Sequence, residues 1–246
     1  MKAEHSAQLR LLDLQAADTA LAQLAHRRRT LPELAALAER DERADALTNA
    51  VIDAETALGD TAGGQRRLEN EVDSVRARAA RDEQRLGSGG VPAKELAGLQ
   101  HEITSLARRQ SNLEDELLEV MEQREESELG LTTLTTQRDA LRAEQAELSA
   151  ARDNAFAEID AATAERGAER ASIATELPSD LIAVYERARE HGGGVGAAVL
   201  RQRRCEGCRI ELPGTELSSV RTAAEDEVIR CDNCRRILVR TDESGL

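Results

Sequence analysis

From Leu96 to Leu148 the chain repeats every seven residues without a break. One set of seam positions is Leu99, Leu106, Leu113, Val120, Ser127, Leu134, Leu141 and Leu148; the other is Leu96, Ile103, Gln110, Leu117, Arg124, Leu131, Arg138 and Gln145. Eleven of these sixteen are aliphatic, and the stretch holds no proline. Such a period, about 3.5 residues, predicts a long helix that supercoils against a partner helix. Ile159 extends the frame, which fades before Pro178.

A second frame lies upstream, at Leu47, Val51, Ala54, Leu58, Thr61, Gln65, Leu68, Val72, Val75, Ala79 and Leu86. Leu14, Ala17, Leu21 and Leu24 follow a different phase, so a kink or phase shift is expected near Leu31-Pro32. Gly59, Gly63 and Gly64 weaken the middle of this helix by about 1 kcal/mol each relative to alanine and mark a bend. Between the two frames Gly87-Ser88-Gly89-Gly90-Val91-Pro92 combines a helix-stop signal with a proline suited to the next first turn. About 80 residues lie on either side of it, as an intramolecular antiparallel hairpin requires. A parallel dimer interrupted by a flexible turn is the alternative.

Composition agrees with an elongated helical body. There is one Phe, one Tyr and no Trp, too few for a large globular core, whereas a coiled-coil seam needs only aliphatic residues. No apolar run approaches ~18 residues, so a membrane span is not expected. Residues 197–246 carry nine Arg against nine Asp and Glu, so the whole net charge of −14 falls before them. An acidic coil is repelled by nucleic acid, which leaves the C-terminal segment as the surface able to meet phosphate.

That segment contains all four cysteines, as Cys205-Glu-Gly-Cys208 and Cys231-Asp-Asn-Cys234. Each pair offers two thiolates from one tight turn, and two such knuckles complete a closed tetrahedral zinc site. One structural Zn2+ is expected, with no open position for a reactive water. The histidines, at 5, 26, 101 and 191, supply no further ligand nearby. Two disulfides, a redox-active pair and an iron-sulfur cluster are the competing readings. The N-terminus Met-Lys-Ala-Glu-His has no apolar signal region, which favours a cytoplasmic chain and metal over disulfides.

Leu177-Pro178-Ser179-Asp180 restarts a helix that carries Leu181, Ile182, Val184 and Tyr185 and stops at His191-Gly192-Gly193-Gly194. Strands are expected at Glu211-Leu212, Leu217 to Thr222, Val228 to Arg230 and Ile237 to Arg240, with a turn at Pro213-Gly214. So small a sheet should draw its folding energy from the metal. The expected organisation is mostly α: an antiparallel coiled-coil hairpin over 1–176 with its tip at 87–98, a short helix and glycine-rich linker over 177–196, and a small all-β zinc ribbon over 197–246.

Three segments taken together resemble a bacterial family that joins a long coiled-coil hairpin to a C-terminal C4-type zinc ribbon. They are the tip followed by Lys94-Glu95-Leu96 and Leu99-Gln100-His101-Glu102-Ile103, the glycine-rich run into Cys205, and Cys231-x2-Cys234 followed by Arg236-Ile237-Leu238. The resemblance spans essentially the whole chain and implies a non-enzymatic protein. Some members are described as binding nucleic acid or as protein-binding adaptors in transcription or secretion. Family tips often carry an aromatic before the Leu-Gln stretch, where this chain has Ala97-Gly98.

Candidate contact residues fall in two places. Arg201, Arg203, Arg204 and Arg209 approach the first knuckle, while Arg230, Arg235, Arg236 and Arg240 flank the second. They read either as a phosphate-binding face or as charges that offset the −2 of four thiolates around zinc. With no aromatic in 197–246, a nucleic-acid contact would be backbone-directed, salt-sensitive and weakly sequence-selective. At the tip, Val91, Lys94, Glu95 and Leu96 are candidates for protein docking, against the reading of a solvated connector. The acidic run from Glu114 to Glu128 reads as solvated helix, and Arg124 and Arg138 on the seam are expected to snorkel or to pair with acids of the opposite arm.

The leading functional expectation is a non-catalytic adaptor, monomeric or homodimeric, that docks an unidentified protein, a nucleic acid or both. The alternatives are a thiol-disulfide redox protein using Cys-x2-Cys, and a transcription factor of the type that enters the RNA polymerase secondary channel. The latter needs paired acids at the apex; Asp82 and Glu83 lie a turn below it.

Overall fold

The computed structural model describes every residue from Met1 to Leu246. Helices α1 (His5–Arg29), α2 (Pro32–Gly87), α3 (Ala93–Glu176) and α4 (Ser179–His191) come first. Strands β1 (Ala197–Arg201) and β2 (Arg204–Cys205), helix α5 (Gly214–Thr222), and strands β3 (Ile229–Arg230) and β4 (Ile237–Val239) follow. The chain forms two compact units, one of Met1–Leu34 with Ala150–Leu246 and one of Ala35–Ser149.

The unit Ala35–Ser149 is the antiparallel pairing of α2 with α3. As residue numbers fall on one arm they rise on the other: Arg78 meets Glu102 at 2.6 Å, Arg76 meets Glu114 at 2.6 Å and Arg40 meets Glu144 at 3.1 Å. These pairs lie at the surface, where water and salt screen them, so the apolar seam and not the ion pairs must fix the register. All sixteen seam residues expected on α3 are buried or half-buried, and so are all eleven on α2. Val72, Val75, Leu106 and Leu113 form a buried apolar cluster within this seam. α2 runs unbroken through Gly59, Gly63 and Gly64, so the glycines end no helix.

Seam polarity is handled differently from expectation. Arg124 reaches the side-chain oxygen of Gln65 on the opposite arm at 3.1 Å and Glu128 on its own helix at 2.9 Å. Arg138 binds its neighbour Asp139, not an acid across the seam. A guanidinium on a half-buried position needs only some acceptor, and an adjacent carboxylate is entropically cheaper to hold than one across the interface.

The other unit surrounds a four-stranded sheet in the order β2-β1-β4-β3. β1 and β4 pair in parallel, with Ala197 against Ile237 and Val199 against Val239. Parallel neighbours are normally covered on both faces, and these are. Ala197, Ile237 and Val239 pack on Leu11 and Leu14 of α1, Ile173 and Leu177 at the end of α3, and Leu181 and Tyr185 of α4. Ala198, Leu200 and Leu238 face the other way, onto Leu212, Val220, Cys205 and Cys231. The break near Pro32 is as expected: α1 ends at Arg29, and Thr30 caps it through its N–H to the His26 carbonyl at 3.1 Å.

Three readings of the ribbon are corrected. Leu217 to Thr222 is helix α5, not a strand, because Leu217 and Val220 stand three apart and turn the same helical face into the apolar cluster around the cysteines. Pro213 is accordingly the cap of that helix and not part of a hairpin turn. Glu211 contributes only an isolated bridge to Arg204. The central strand β1, which no alternation announces, is an unbroken apolar run because both of its faces are buried. The sheet also does not rely on metal alone, since one whole face rests on helices. Finally, the first residues bridge to the segment just before β3: Val228 donates its N–H to the Met1 carbonyl at 3.0 Å, and Ala3 donates to the Asp226 carbonyl at 2.8 Å.

Candidate metal centre

Both cysteine knuckles are built alike. In the first, Arg209 N–H donates to the Cys205 carbonyl at 2.7 Å and Cys205 N–H donates to the Ile210 carbonyl at 3.0 Å. In the second, Arg235 N–H donates to the Cys231 carbonyl at 2.8 Å and Cys231 N–H to the Arg236 carbonyl at 3.0 Å. The residue after each second cysteine must turn left-handed to close the loop: Arg209 has φ 60° and Arg235 φ 63°. Glycine is the usual occupant of that region, and an L side chain costs about 1–2 kcal/mol there. Two arginines at equivalent strained positions are a feature the spacing of cysteines does not announce.

All four sulfurs lie within 4.8 Å of one another. Cys205 Sγ is 3.8 Å from Cys234 Sγ, and Cys208 Sγ is 3.9 Å from Cys231 Sγ. A zinc ion with bonds of about 2.3 Å to tetrahedral corners sets its sulfurs about 3.8 Å apart, the separation these two pairs show, so the four-thiolate donor set fits zinc. No cysteine is in a disulfide, and Cys205 and Cys231 are buried. Burial pushes the Cys205 thiol well above its ordinary range and the Cys231 thiol up to about 11. At Cys208 burial works against ionisation too, but hydrogen bonds from the Ile210 backbone and the Asn233 side chain outweigh it and bring the thiol down to about 7. A divalent cation supplies the charge that lets all four ionise together, which makes metal binding part of the folding energy on this side of the sheet.

The eight arginines proposed from sequence divide into two groups. Arg236 and Arg240 are structural. Arg236 donates to the carbonyls of Val195 and Gly207, each at 3.1 Å, and to that of Gly192. Arg240 donates to the Val220, Ala223, Ala224 and Glu225 carbonyls, tying the end of α5 and the loop after it to β4. These two guanidinium groups are occupied by the protein's own backbone and leave the candidate face. Arg201, Arg203, Arg204, Arg209, Arg230 and Arg235 are exposed. Among these, Arg201 is paired with Glu243 at 2.7 Å and Arg203 donates to the Gly245 carbonyl at 3.1 Å.

At the hairpin tip Lys94 and Glu95 are exposed while Val91 and Leu96 are half-buried. A pocket of about 310 Å³ is lined there by Arg78, Asp82, Arg85, Val91, Glu95 and Leu99. Asp82 shares this pocket with two arginines, and Glu95 is 3.4 Å from Arg85. The acids near the apex are thus interleaved with bases.

Sequence reasoning misses a buried polar cluster. Tyr185 donates its hydroxyl to Asp18 at 2.7 Å, and Arg170 Nε donates to the same carboxylate at 2.7 Å. Arg170 also pairs with Glu186, which Arg189 contacts at 2.8 Å. Gln15 accepts the Gly196 N–H at 2.6 Å. Burial, reinforced by the bond to Asp18, raises the Tyr185 hydroxyl far above its ordinary range, so it stays a donor. The cluster joins α1, the end of α3, α4 and the start of β1. A sequence signal for it exists: Gln8, Leu11, Gln15 and Asp18 share one helical phase, which makes the polar residues partners of an apolar face.

A helical hairpin joined to a four-thiolate zinc ribbon defines the class of protein. The chain belongs to the CT398-like coiled coil hairpin domain family, which matches residues 14–193, and a C4-type zinc ribbon domain matches residues 204–238. Among relatives, Rv2229c of Mycobacterium tuberculosis is 43% identical over 242 residues, covering 98% of each chain. A Mycobacterium leprae protein is 35% identical over 216 residues, covering 87% of this chain and 91% of its own. A solved structure from Mycobacterium smegmatis superposes with a TM-score of 0.88 at 38% identity, over 98% of this chain and 100% of that one. CT398 from Chlamydia trachomatis shares the fold at a TM-score of 0.72 and 19% identity, covering 96% of this chain and 98% of its own. No helix is long and apolar enough to cross a membrane.

Proposed function

We propose that the chain is a non-catalytic adaptor whose zinc ribbon presents a cationic face to a partner, with the hairpin tip as a second docking point. What supports this most is the distribution of the ribbon arginines. Two are consumed by backbone carbonyls, six remain exposed, and three of those six, Arg203, Arg209 and Arg235, sit at strained left-handed positions where glycine would be easier. Strain retained at an exposed site is better explained by what the side chain contacts than by what it does for the fold. All four thiols converge on one metal site, which removes the free low-pKa cysteine that disulfide exchange needs.

The chemistry of the face suits phosphate: guanidinium forks without a stacking platform contact a nucleic-acid backbone and read little sequence. The test is a titration of labelled RNA and DNA pools against the zinc-loaded full chain, with Arg203, Arg204, Arg209 and Arg235 changed to Gln. Binding should weaken several-fold for each pair removed, and the salt slope should fall by about 0.7–0.9 for each phosphate that is no longer neutralised. Indifference of both pools to these changes would end the nucleic-acid reading and leave protein docking. A pull-down from cytoplasmic lysate, with and without nuclease, then separates the two, because protein partners persist after nuclease.

A further inference from the structure

Three exposed apolar side chains stand on one short stretch of α3: Leu118 is 58% exposed, Met121 38% and Leu129 69%. Single exposed leucines are ordinary, but these share a face. At about 100° per residue, Leu129 lies some 20° around the helix from Leu118 and Met121 about 60° to the other side. None belongs to the seam, which at this level uses Leu117, Val120 and Arg124. The stripe runs about 16 Å along the axis, roughly three turns. The charge around it is equally uneven. Residues 111–137 hold eight acids and one arginine, a net −7 that is half of the chain's −14. Arg76 and Arg124 engage only Glu114 and Glu128 of these acids. Glu122 and Glu125, which fall between the two leucines on the same face, are exposed.

We infer that this face of α3 docks a basic amphipathic helix of a partner protein. The leucines and Met121 meet its apolar stripe, and the flanking glutamates meet its Lys and Arg. The charge selects the occupant. A second copy would set −7 against −7, and a nucleic acid or an anionic lipid surface would be repelled. A polyelectrolyte contact alone would need no leucines, and an apolar contact alone would need no acids; the face offers both within three turns, which is how a helix-binding surface gains affinity and orientation together.

This surface lies in Ala35–Ser149, while the ribbon belongs to the other unit, so each can be tested without the other. The probe is a dye-labelled peptide of about five helical turns with Leu along one face and Lys along the rest. Its scrambled isomer and a version with Glu for Lys are the controls. Anisotropy titrations use the zinc-loaded full chain, the Leu118→Gln/Leu129→Gln variant and the Glu122→Gln/Glu125→Gln variant. The amphipathic Lys peptide should bind at least about tenfold tighter than its scrambled isomer. The leucine variant should lose that preference, and the glutamate variant should weaken binding while flattening its salt dependence. Because all four positions are exposed, helicity and melting temperature should not change. Equal binding of the scrambled isomer, a preference that survives the leucine replacement, or a self-association of the chain that the leucine variant abolishes would each overturn the inference. Replacing the ribbon arginines should leave this binding untouched whatever their own role.

Discussion

At the scale of single residues, the sheet-bearing unit is held by groups that look unremarkable in the sequence. Gly196 is one: a Cβ there would meet the Tyr185 carbonyl at 2.7 Å and its ring at 2.8 Å. Neither neighbour can give way, because the tyrosine is fully buried and its hydroxyl is anchored on Asp18. Gly196→Ala should therefore cost about 1–3 kcal/mol, seen as a lower melting temperature of the zinc-loaded protein. Asp18→Ala should cost about 1–3 kcal/mol, because it removes the acceptor that Arg170 and the Tyr185 hydroxyl share and leaves the first with Glu186 and the second with Gln15 alone, whereas Tyr185→Phe should cost about 1 kcal/mol. Equal, small effects of all three changes would show that the cluster is not a unit. These residues are partly legible in the sequence. Asp18 and Gln15 share the phase of Leu11, which marks them as polar groups on a buried face. Their partners are not legible, because Arg170 and Tyr185 are 152 and 167 residues away from Asp18 and no local pattern links them.

At the scale of elements, the long helices are readable because their period is repeated many times over, so a misassigned residue changes nothing. Arg124 tests how much of the hairpin's register rests on its polar exceptions. It is half-exposed and satisfied mainly within its own helix, with one amide contact across the seam. Arg124→Leu should thus stabilise the hairpin by up to about 1 kcal/mol without changing its pairing; a drop in thermal stability would show that the bond to Gln65 matters more than apolar contact. Short elements behave in the opposite way. β1 escapes sequence reasoning because burial on both faces erases alternation, and α5 passes for a strand because two apolar residues in nine cannot settle a period. The knuckles are legible to the last ligand, since their chemistry depends on spacing alone. Protons compete with zinc for those ligands. With Cys208 titrating at about 7 and Cys231 at about 11 before metal binds, zinc addition at neutral pH should release protons, and affinity should fall as pH falls. A pH-independent affinity between about 6 and 8 would mean the thiols are not the ligands.

At the scale of the whole molecule, the two faces of the sheet make metal dependence local instead of global. The sequence alone suggests that a ribbon this small folds only on its metal. The structure gives Ala197, Ile237 and Val239 a separate apolar cluster on α1, α3 and α4, in which no ligand takes part. The opposite face is different: Ala198, Leu200, Leu212, Val220 and Leu238 pack directly against Cys205 and Cys231. Removing zinc leaves buried thiols to be either protonated in place or exposed, and either choice loosens only that second cluster. A strong chelator should therefore abolish amide-exchange protection over 205–222, covering the first knuckle and α5, while amides of β1 and β4 that bond to one another keep most of theirs. Helical circular dichroism should fall only slightly, because α1 to α4 contain no ligand. Hydrogen exchange followed by mass spectrometry resolves the two segments. Uniform deprotection through β4 and α4 would show that zinc holds the entire unit, and full retention over 205–222 would show that the apolar clusters suffice without it.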